Sequence, residues 1–470
     1  MQTELSERDL DLAERILPRY VGAGPRYTSY PTVPVWQDAF PEAEHRRALS
    51  EAGASGEISL YTHIPFCRSL CHFCACNRVI TRDPALPARY LEALERELET
   101  TRAAMSHSPR CVQLHWGGGT PTHLEPAQIE RLFRSTTDRF PLAPGAEISI
   151  EVDPRVTRED HVAALADCGF NRISLGVQDT EPATQAAIHR IQPFEQTRAL
   201  TLAARARGIE RVSFDLIYGL PHQTEESFDR TLDAVLSLEP DRLALYAYAH
   251  VTWIAKQQRG FERRDLPGPR LRMRIMTRAI RRLVAAGYRS IGMDHFARPG
   301  DELSAALDAG TLRRNFMGYT TLEGVDVVAF GPSAISELPG TYVQAEKELS
   351  GWGEVVSGGR LATHRGHVLS AEDARRRAVI RDVMCQGEIR LSAFAQRHGL
   401  EAASALALDL ESARPRLAPF VEDGLIELDA SGDLRVSTLG RLFLRQIAMV
   451  FDAHLGDAST AKPATYSQTV

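Results

Sequence analysis

Four of the seven cysteines fall within ten residues: Cys67, Cys71, Cys74 and Cys76. The spacing C-x3-C-x2-C puts three thiolates on one short loop, where they can converge on a compact, multi-atom centre. Iron–sulfur clusters take cysteine thiolates in this way, and a 4Fe cluster has four irons to coordinate. Three ligands leave one iron open to a small molecule. Cys76 could be the fourth ligand, although only Ala75 separates it from Cys74, a cramped reach across a cluster. The rival is zinc, which usually takes two ligand pairs a dozen or more residues apart. No second Cys or His pair stands at such a distance. Core cysteines scattered by chance would hardly crowd one polar loop, so the cluster reading leads.

The elements that must position this loop repeat in a regular order. Apolar strands are expected at 58–64, 112–116, 147–152, 172–178, 211–218 and 242–248, with helices near 91–101, 126–139, 158–168, 194–207 and 224–238. Strand–helix alternation at this spacing argues a parallel sheet with right-handed crossovers. In such folds functional groups gather at the C-terminal ends of the strands. The first strand feeds the cysteine loop, and the second feeds Gly117-Gly118-Gly119-Thr120. The third ends near Glu151 and Asp153, the fourth at Gln178, the fifth holds Asp215 and the sixth ends at 246–249. Five such coincidences make a site. Three glycines in a row let backbone approach a ligand and present free N–H groups. Glu151 and Asp215 suit ribose hydroxyls or an ammonium, with a helix cap or a salt bridge as the alternative for each.

Composition sets the class. The 470 residues are 43% hydrophobic and 25% charged, with a net charge of −6, ordinary for a soluble globular protein of two or three domains. The acidic balance gives no reason to expect nucleic acid or an anionic membrane. No apolar run approaches the roughly 18 residues of a membrane span. The charged first ten residues lack the apolar core of a signal peptide, and the odd cysteine count argues against disulfides. Cys111, Cys168 and Cys385 read as small core residues. A cytoplasmic protein is expected. Without a coiled coil or repeat, so is a monomer.

Before the first strand, a helix is expected over 6–20 with Ser6 as its cap. The stretch Arg26-Tyr-Thr-Ser-Tyr-Pro-Thr32 reads as an extended strip covering the site. After it come a basic helix (269–286) and a shift in composition near 357–366. Further helices are expected at 371–385, 391–397 and 402–413, then a hairpin (425–428 and 434–436) and a last helix (438–451). Helices followed by a hairpin resemble a winged helix, but Glu422, Asp423, Glu427 and Asp429 crowd the wing, so the module reads as a docked lid and not a DNA reader.

C-x3-C-x2-C after a hydrophobic strand resembles the radical S-adenosylmethionine (SAM) enzymes, where SAM chelates the fourth iron. Tyr61-Thr-His-Ile-Pro-Phe-Cys67, the extra Cys76 and the 26–32 strip narrow the resemblance to the oxygen-independent coproporphyrinogen III oxidase (dehydrogenase) family, over nearly the whole chain. That resemblance implies an open, partial parallel β/α barrel of about six units, an α/β fold with an N-terminal extension and a mostly helical, winged-helix-like C-terminal domain. The corresponding boundaries are 1–50 for the extension over the site, 51–360 for the barrel and its extension, and 361–455 for the helical domain. Residues 456–470 are expected to be a disordered tail.

The resemblance also assigns residues. Cys67, Cys71 and Cys74 hold a 4Fe–4S cluster, and two SAM molecules bind. Tyr61, Gly118, Glu151 and Ile335 line the cluster-bound SAM. Phe73, Gly119, Thr120, Gln178, Arg190, Asp215 and Ala249 line the second. Arg190, read without the resemblance, is a surface helix charge. Cys76 is the implied catalytic group, with a structural role as its alternative. Met317 stands where the family pattern leads one to expect Gln, which puts one polar contact in doubt, and His72 and Ala75 also depart from it.

The implied chemistry is one-electron cleavage of SAM and hydrogen abstraction from the β-carbon of a substrate propionate. Loss of CO2 and an electron then leaves a vinyl group, at two propionates of coproporphyrinogen III, giving protoporphyrinogen IX. Flavodoxin or ferredoxin is the implied kind of electron donor. Arg26 is a candidate partner for a substrate carboxylate. The alternatives are a haem-binding chaperone on the same scaffold or a related enzyme acting on another substrate. Relatives of the chaperone kind generally lack Cys76 and the strip.

Overall fold

The computed structural model describes residues 5–253, 255–455 and 466. Six parallel strands form its spine: β1 (Glu57–Ile64), β2 (Arg110–Gly118), β3 (Leu142–Val152), β4 (Arg172–Gln178), β5 (Arg211–Tyr218) and β6 (Arg242–Ala247). The helices between them are α1 (Ala85–Ala104), α2 (Pro126–Arg139), α3 (Glu159–Asp167), α4 (Phe194–Ala206) and α5 (Glu225–Leu236), with α6 (Pro269–Ala285) after β6. β1 is buried at six of its eight positions. Such near-continuous burial is what a strand covered on both faces requires.

The sheet goes well beyond the six expected strands. β7 (Arg289–Gly292) and β8 (His295–Ala297) add antiparallel edges beside β6. On the other flank β9 (Asp326–Phe330) lies parallel to β1, followed by antiparallel β10 (Ile335–Leu338), β11 (Thr341–Gln344) and β12 (Arg365–Val368). With Gln37–Asp38 outside β12, the sheet has 13 strands in a linear order whose ends do not meet. The barrel is open. These flanking strands are two to five residues long, too short for a period-two pattern to stand out in the sequence.

Two expectations at the C-terminus need correcting. The helix expected at 402–413 runs Leu400–Glu422 through Pro415 and Pro419. Its buried stripe of Leu406, Leu410, Ala413, Leu417 and Phe420 continues past both prolines, which stand off that face. The last helix is split into a 3-10 turn, Gly440–Phe443, and a helix, Leu444–Met449. Gly440 is pressed against the Leu425 carbonyl, where a Cβ would sit 1.9 Å from the oxygen. The hairpin strands Ile426–Leu428 and Leu434–Val436 gain a third neighbour, Glu388–Ile389.

The N-terminal helix Glu7–Tyr20 is capped by Ser6 and shares one apolar core with the C-terminal helices, through Ala13, Ile16, Leu17 and Tyr20. Tyr20 donates to Asp423 Oδ2 at 2.6 Å. The expected tail, 456–470, lies outside the described residues except Tyr466, whose hydroxyl is 2.7 Å from Thr32 Oγ1. Among the described residues no helix is long and apolar enough to cross a membrane.

Glu97 of α1 ties β9 to the barrel. It is buried and accepts from the Gly331 N–H at 2.8 Å and Trp352 Nε1 at 3.1 Å; burial pushes its carboxyl up to about 7. Glu97→Ala strands both donors and opens a void. It should lower the unfolding free energy by about 2–4 kcal/mol, measured by denaturant titration. The exposed Glu51→Ala should stay within about 0.5 kcal/mol.

Candidate active site

The strand register brings two loops side by side. β1 and β2 pair in parallel up to Ile64 and Gly118. Beyond them Gly119 N–H donates to Ile64 O at 2.9 Å and Thr120 N–H to Phe66 O at 2.8 Å. The glycine loop therefore does not present free N–H groups as expected. Gly118 N–H is taken as well, by Glu151 Oε2 at 3.1 Å. The glycines serve close approach instead. A Cβ on Gly117 would lie 2.9 Å from the Glu151 carboxyl carbon, and one on Gly119 2.7 Å from the Pro65 carbonyl. Gly118 has φ +118°, with the His63 ring in the space a side chain would need.

Behind the cysteine loop lies a buried ion network. Asp153, at the end of β3, binds Arg155 Nη2 at 2.6 Å and Arg190 Nη1 at 3.1 Å. Both guanidiniums then point at Cys71 Sγ, from 3.4 and 3.7 Å. Arg190 also donates to Gly176 O at 2.7 Å. It is buried, which overturns its reading as a surface charge. Burial works against Asp153, but Arg190 and Arg155 outweigh it and hold the carboxyl at about 2. Cys67 Sγ lies 3.5 Å from Thr120 Oγ1. The S–H of Cys76 lowers the Cys74 thiol, against its burial, while the same pairing raises Cys76. Cys76 itself is exposed.

Tyr61, Gly118 and Glu151 meet around His63 and His115. Tyr61 OH is 3.0 Å from His63 Nδ1, and His115 Nε2 is 3.5 Å from Glu151 Oε1. Ile335 opens β10, just past the loop whose Pro332 carbonyl accepts from Asn77 of the cysteine loop. In the other group, Gln258 donates to both the Phe73 and Ala249 carbonyls, at 2.9 and 3.0 Å. Gln178 and Arg190 converge over Gly176, where a Cβ would meet Nε2 of one and Nη2 of the other. Gln178 sits at φ +67° on a bulge facing β5, backbone strain of the kind found at functional sites. Asp215 lies opposite Gly176. Gly119 and Thr120 border the cysteine loop, so the strand ends gather both groups.

Arg155, His63, His115, Gln258 and the Asp294–Arg26 ion pair were missed by the sequence reading. Only His63 and His115 carried a signal, each on the same strand face as a residue already singled out, Tyr61 and Gly117. His72, a departure from the family pattern, stacks on His189 with centroids 5.1 Å apart and leans on Gly260.

Residues 61–235 match the Radical SAM superfamily model, and residues 369–443 match the HemN C-terminal domain. Oxygen-independent coproporphyrinogen III oxidase from Pseudomonas aeruginosa is 41% identical over 443 residues, 94% of this chain and 95% of that protein. Its counterpart in Escherichia coli K12 is 42% identical over 447 residues, 95% and 96% of the two chains. The chain belongs to this family. The solved structure of coproporphyrinogen III oxidase (HemN) from Escherichia coli, a radical SAM enzyme, superposes with a TM-score of 0.86 at 42% identity, covering 92% of this chain and 98% of that one.

The groups that radical SAM membership implies, a 4Fe–4S cluster and SAM, can be tested against these side chains. Among the described residues no three His, Cys, Asp or Glu side chains converge to hold a single ion, whereas a cluster spreads its thiolates around several irons. Two guanidiniums donate to Cys71 Sγ, and donors of this kind suit a sulfur that carries charge in a cluster. Gly117–Gly119 bring the backbone of the second strand's end against the cysteine loop with no side chain between them. The residues fit.

Burial, then the nearby Glu151 charge, push Asp215 up to about 7. A carboxyl raised from 3.8 contributes stability that is complete below pH 3.8 and lost as pH rises to about 7. Unliganded Asp215→Asn protein should therefore be more stable than the parent at pH 8 by up to a few kcal/mol. The gap should shrink towards pH 5, as read from denaturant midpoints at the two pH values.

Proposed function

We propose that this protein converts coproporphyrinogen III to protoporphyrinogen IX by oxidative decarboxylation of two propionate side chains to vinyl groups, as an oxidoreductase of porphyrin and haem biosynthesis. The observation that carries the reading is the three-thiol loop hydrogen-bonded to the Gly117–Thr120 turn, in a chain 41% identical to a named enzyme of this activity across nearly its full length. When bound, the cluster and SAM supply the one-electron hydrogen-abstracting chemistry, which no side chain can provide.

The chain's own share is binding, orientation and exclusion of water. Cys67, Cys71 and Cys74 would hold the cluster. Arg155 and Arg190, fixed by Asp153, donate to Cys71 Sγ and so hold it in place. Tyr61, Gly118, Glu151 and Ile335 would line a first SAM. Phe73, Gly119, Thr120, Gln178, Arg190, Asp215 and Ala249 would line a second. The bracing of Phe73 and Ala249 by one buried Gln258 supports treating them as one wall. Cys76, exposed beside Cys74, is the candidate catalytic thiol.

Residues 1–50 would act as an extension closing the site, 51–360 as the barrel with its extension, and 361–455 as the helical domain. The protein would work as a cytoplasmic monomer, reduced by a flavodoxin or ferredoxin.

The test is anaerobic reconstitution followed by incubation with SAM, a reductant, coproporphyrinogen III and cell extract as electron acceptor, with products oxidised to porphyrins and separated. Protoporphyrin should form, and Cys67→Ser should abolish it together with the cluster's visible absorption. Deoxyadenosine released without protoporphyrin would keep the radical chemistry and reject the substrate.

A further inference from the structure

Five arginines are more than nine-tenths buried among the described residues: Arg172, Arg190, Arg313, Arg314 and Arg445. Four have oxygen acceptors. Arg172 bonds Glu147 and Glu302, Arg190 bonds Asp153, Arg313 pairs with Glu323, and Arg445 donates to the carbonyls of Gly24 and Pro25. Arg314 differs. Its Nε and Nη1 are buried with no hydrogen-bond partner, and its guanidinium carbon lies 4.8 Å over the Tyr319 ring. A buried guanidinium with no acceptor carries a large desolvation penalty; each of the other four has at least one oxygen acceptor, so Arg314 is the one that points to a ligand.

Arg314 stands between the strand-end site and the 26–32 strip. On one side it lines a cavity of about 20 Å³ with Ser29, Arg377, Arg381 and Met384, room for a water-sized group. The Nε of Arg377 is also buried without a partner. On the other side Arg314 is within electrostatic reach of Tyr246 at the end of β6, which feels Asp215 and Glu151 in turn. The carboxylate near Arg314 is Asp294, but Asp294 pairs with Arg26 and lies 2.6 Å from His295 Nδ1. Arg26, Arg314 and Arg445 all sit in the field of this one carboxylate. Arg26 and Arg314 thus share this one carboxylate beside the site.

We propose that Arg314 binds a carboxylate of the substrate, a propionate that is not the one reacting, and thereby sets which edge of the macrocycle faces the strand ends. This rests on the functional reading above. A guanidinium offers a carboxylate two parallel N–H donors, and a porphyrinogen with several propionates can spare one as an anchor. Arg26 is committed to Asp294 and is the lesser candidate for that role.

The test uses reconstituted protein under anaerobic conditions, with coproporphyrin III as a stable fluorescent probe and its tetramethyl ester as the uncharged control. The parent should bind the acid more tightly than the ester. In Arg314→Gln the acid should bind about 10–100-fold more weakly, the loss of one charge-assisted pair, with ester binding unchanged. Arg314→Lys should fall between. The KM for coproporphyrinogen III should rise in step. The melting temperature of Arg314→Gln should hold or increase, because a buried unpaired charge is removed. Acid affinity within threefold of the parent, equal weakening of acid and ester, no acid preference in the parent, or a lowered melting temperature each overturns the proposal. A parent that fails to convert coproporphyrinogen III rejects the functional reading itself; conversion with an unchanged KM in Arg314→Gln rejects only the anchor.

Discussion

Two backbone hydrogen bonds, from Gly119 N–H to Ile64 O and from Thr120 N–H to Phe66 O, join the cysteine loop to the glycine turn. Nearly everything else in the site depends on them. They exist because β1 and β2 are parallel and in register to their ends, so that two chains leaving neighbouring strands must run on together. The close contact leaves no room for side chains at 117–119, which is why three glycines stand there. With that approach set, Glu151 on β3 can reach Gly118 N–H, and the Asp153 network can reach Cys71 from behind. Parallel strands thus convert one register into a cluster of functional groups.

A second constraint is the shared core of the chain's two ends. The helix Glu7–Tyr20 packs into the C-terminal helices, and Tyr27 of the strip donates to Asp452 Oδ2 at 2.9 Å. Arg445 reaches back to the Gly24 and Pro25 carbonyls. The strip is held against the barrel by residues more than 400 positions away, and through Arg26 it bears on Asp294 at the rim of the site. One charge of the acidic wing is accounted for here. Asp423 is engaged by Arg19 and Tyr20, a contact inside the protein.

The parts of the fold legible in the sequence were those with long periods. The strands Arg172–Gln178 and Arg211–Tyr218 and the helix Pro126–Arg139 have the ends expected of them, since apolar runs bounded by Gly, Pro and polar caps carry their own stop signals. The flanking strands β7–β12 were hidden, being short and paired with distant segments. Pro415 hid a helix's true length, because a buried stripe outweighed a local break.

What the sequence determined by itself is the chemistry on offer: three thiols at cluster spacing, glycines beside them, and carboxylates recurring where strands end. Those signals are local, written in residue type and spacing. What only the tertiary structure decided is which charges are answered. Arg190 reads as solvent-facing until Asp153 and Cys71 are seen around it, and Arg314 looks like its neighbour Arg313 until one finds Glu323 and the other finds no acceptor. A guanidinium's role follows from its burial and its partners, which here come from 10 to 119 residues away, and no local pattern encodes that distance.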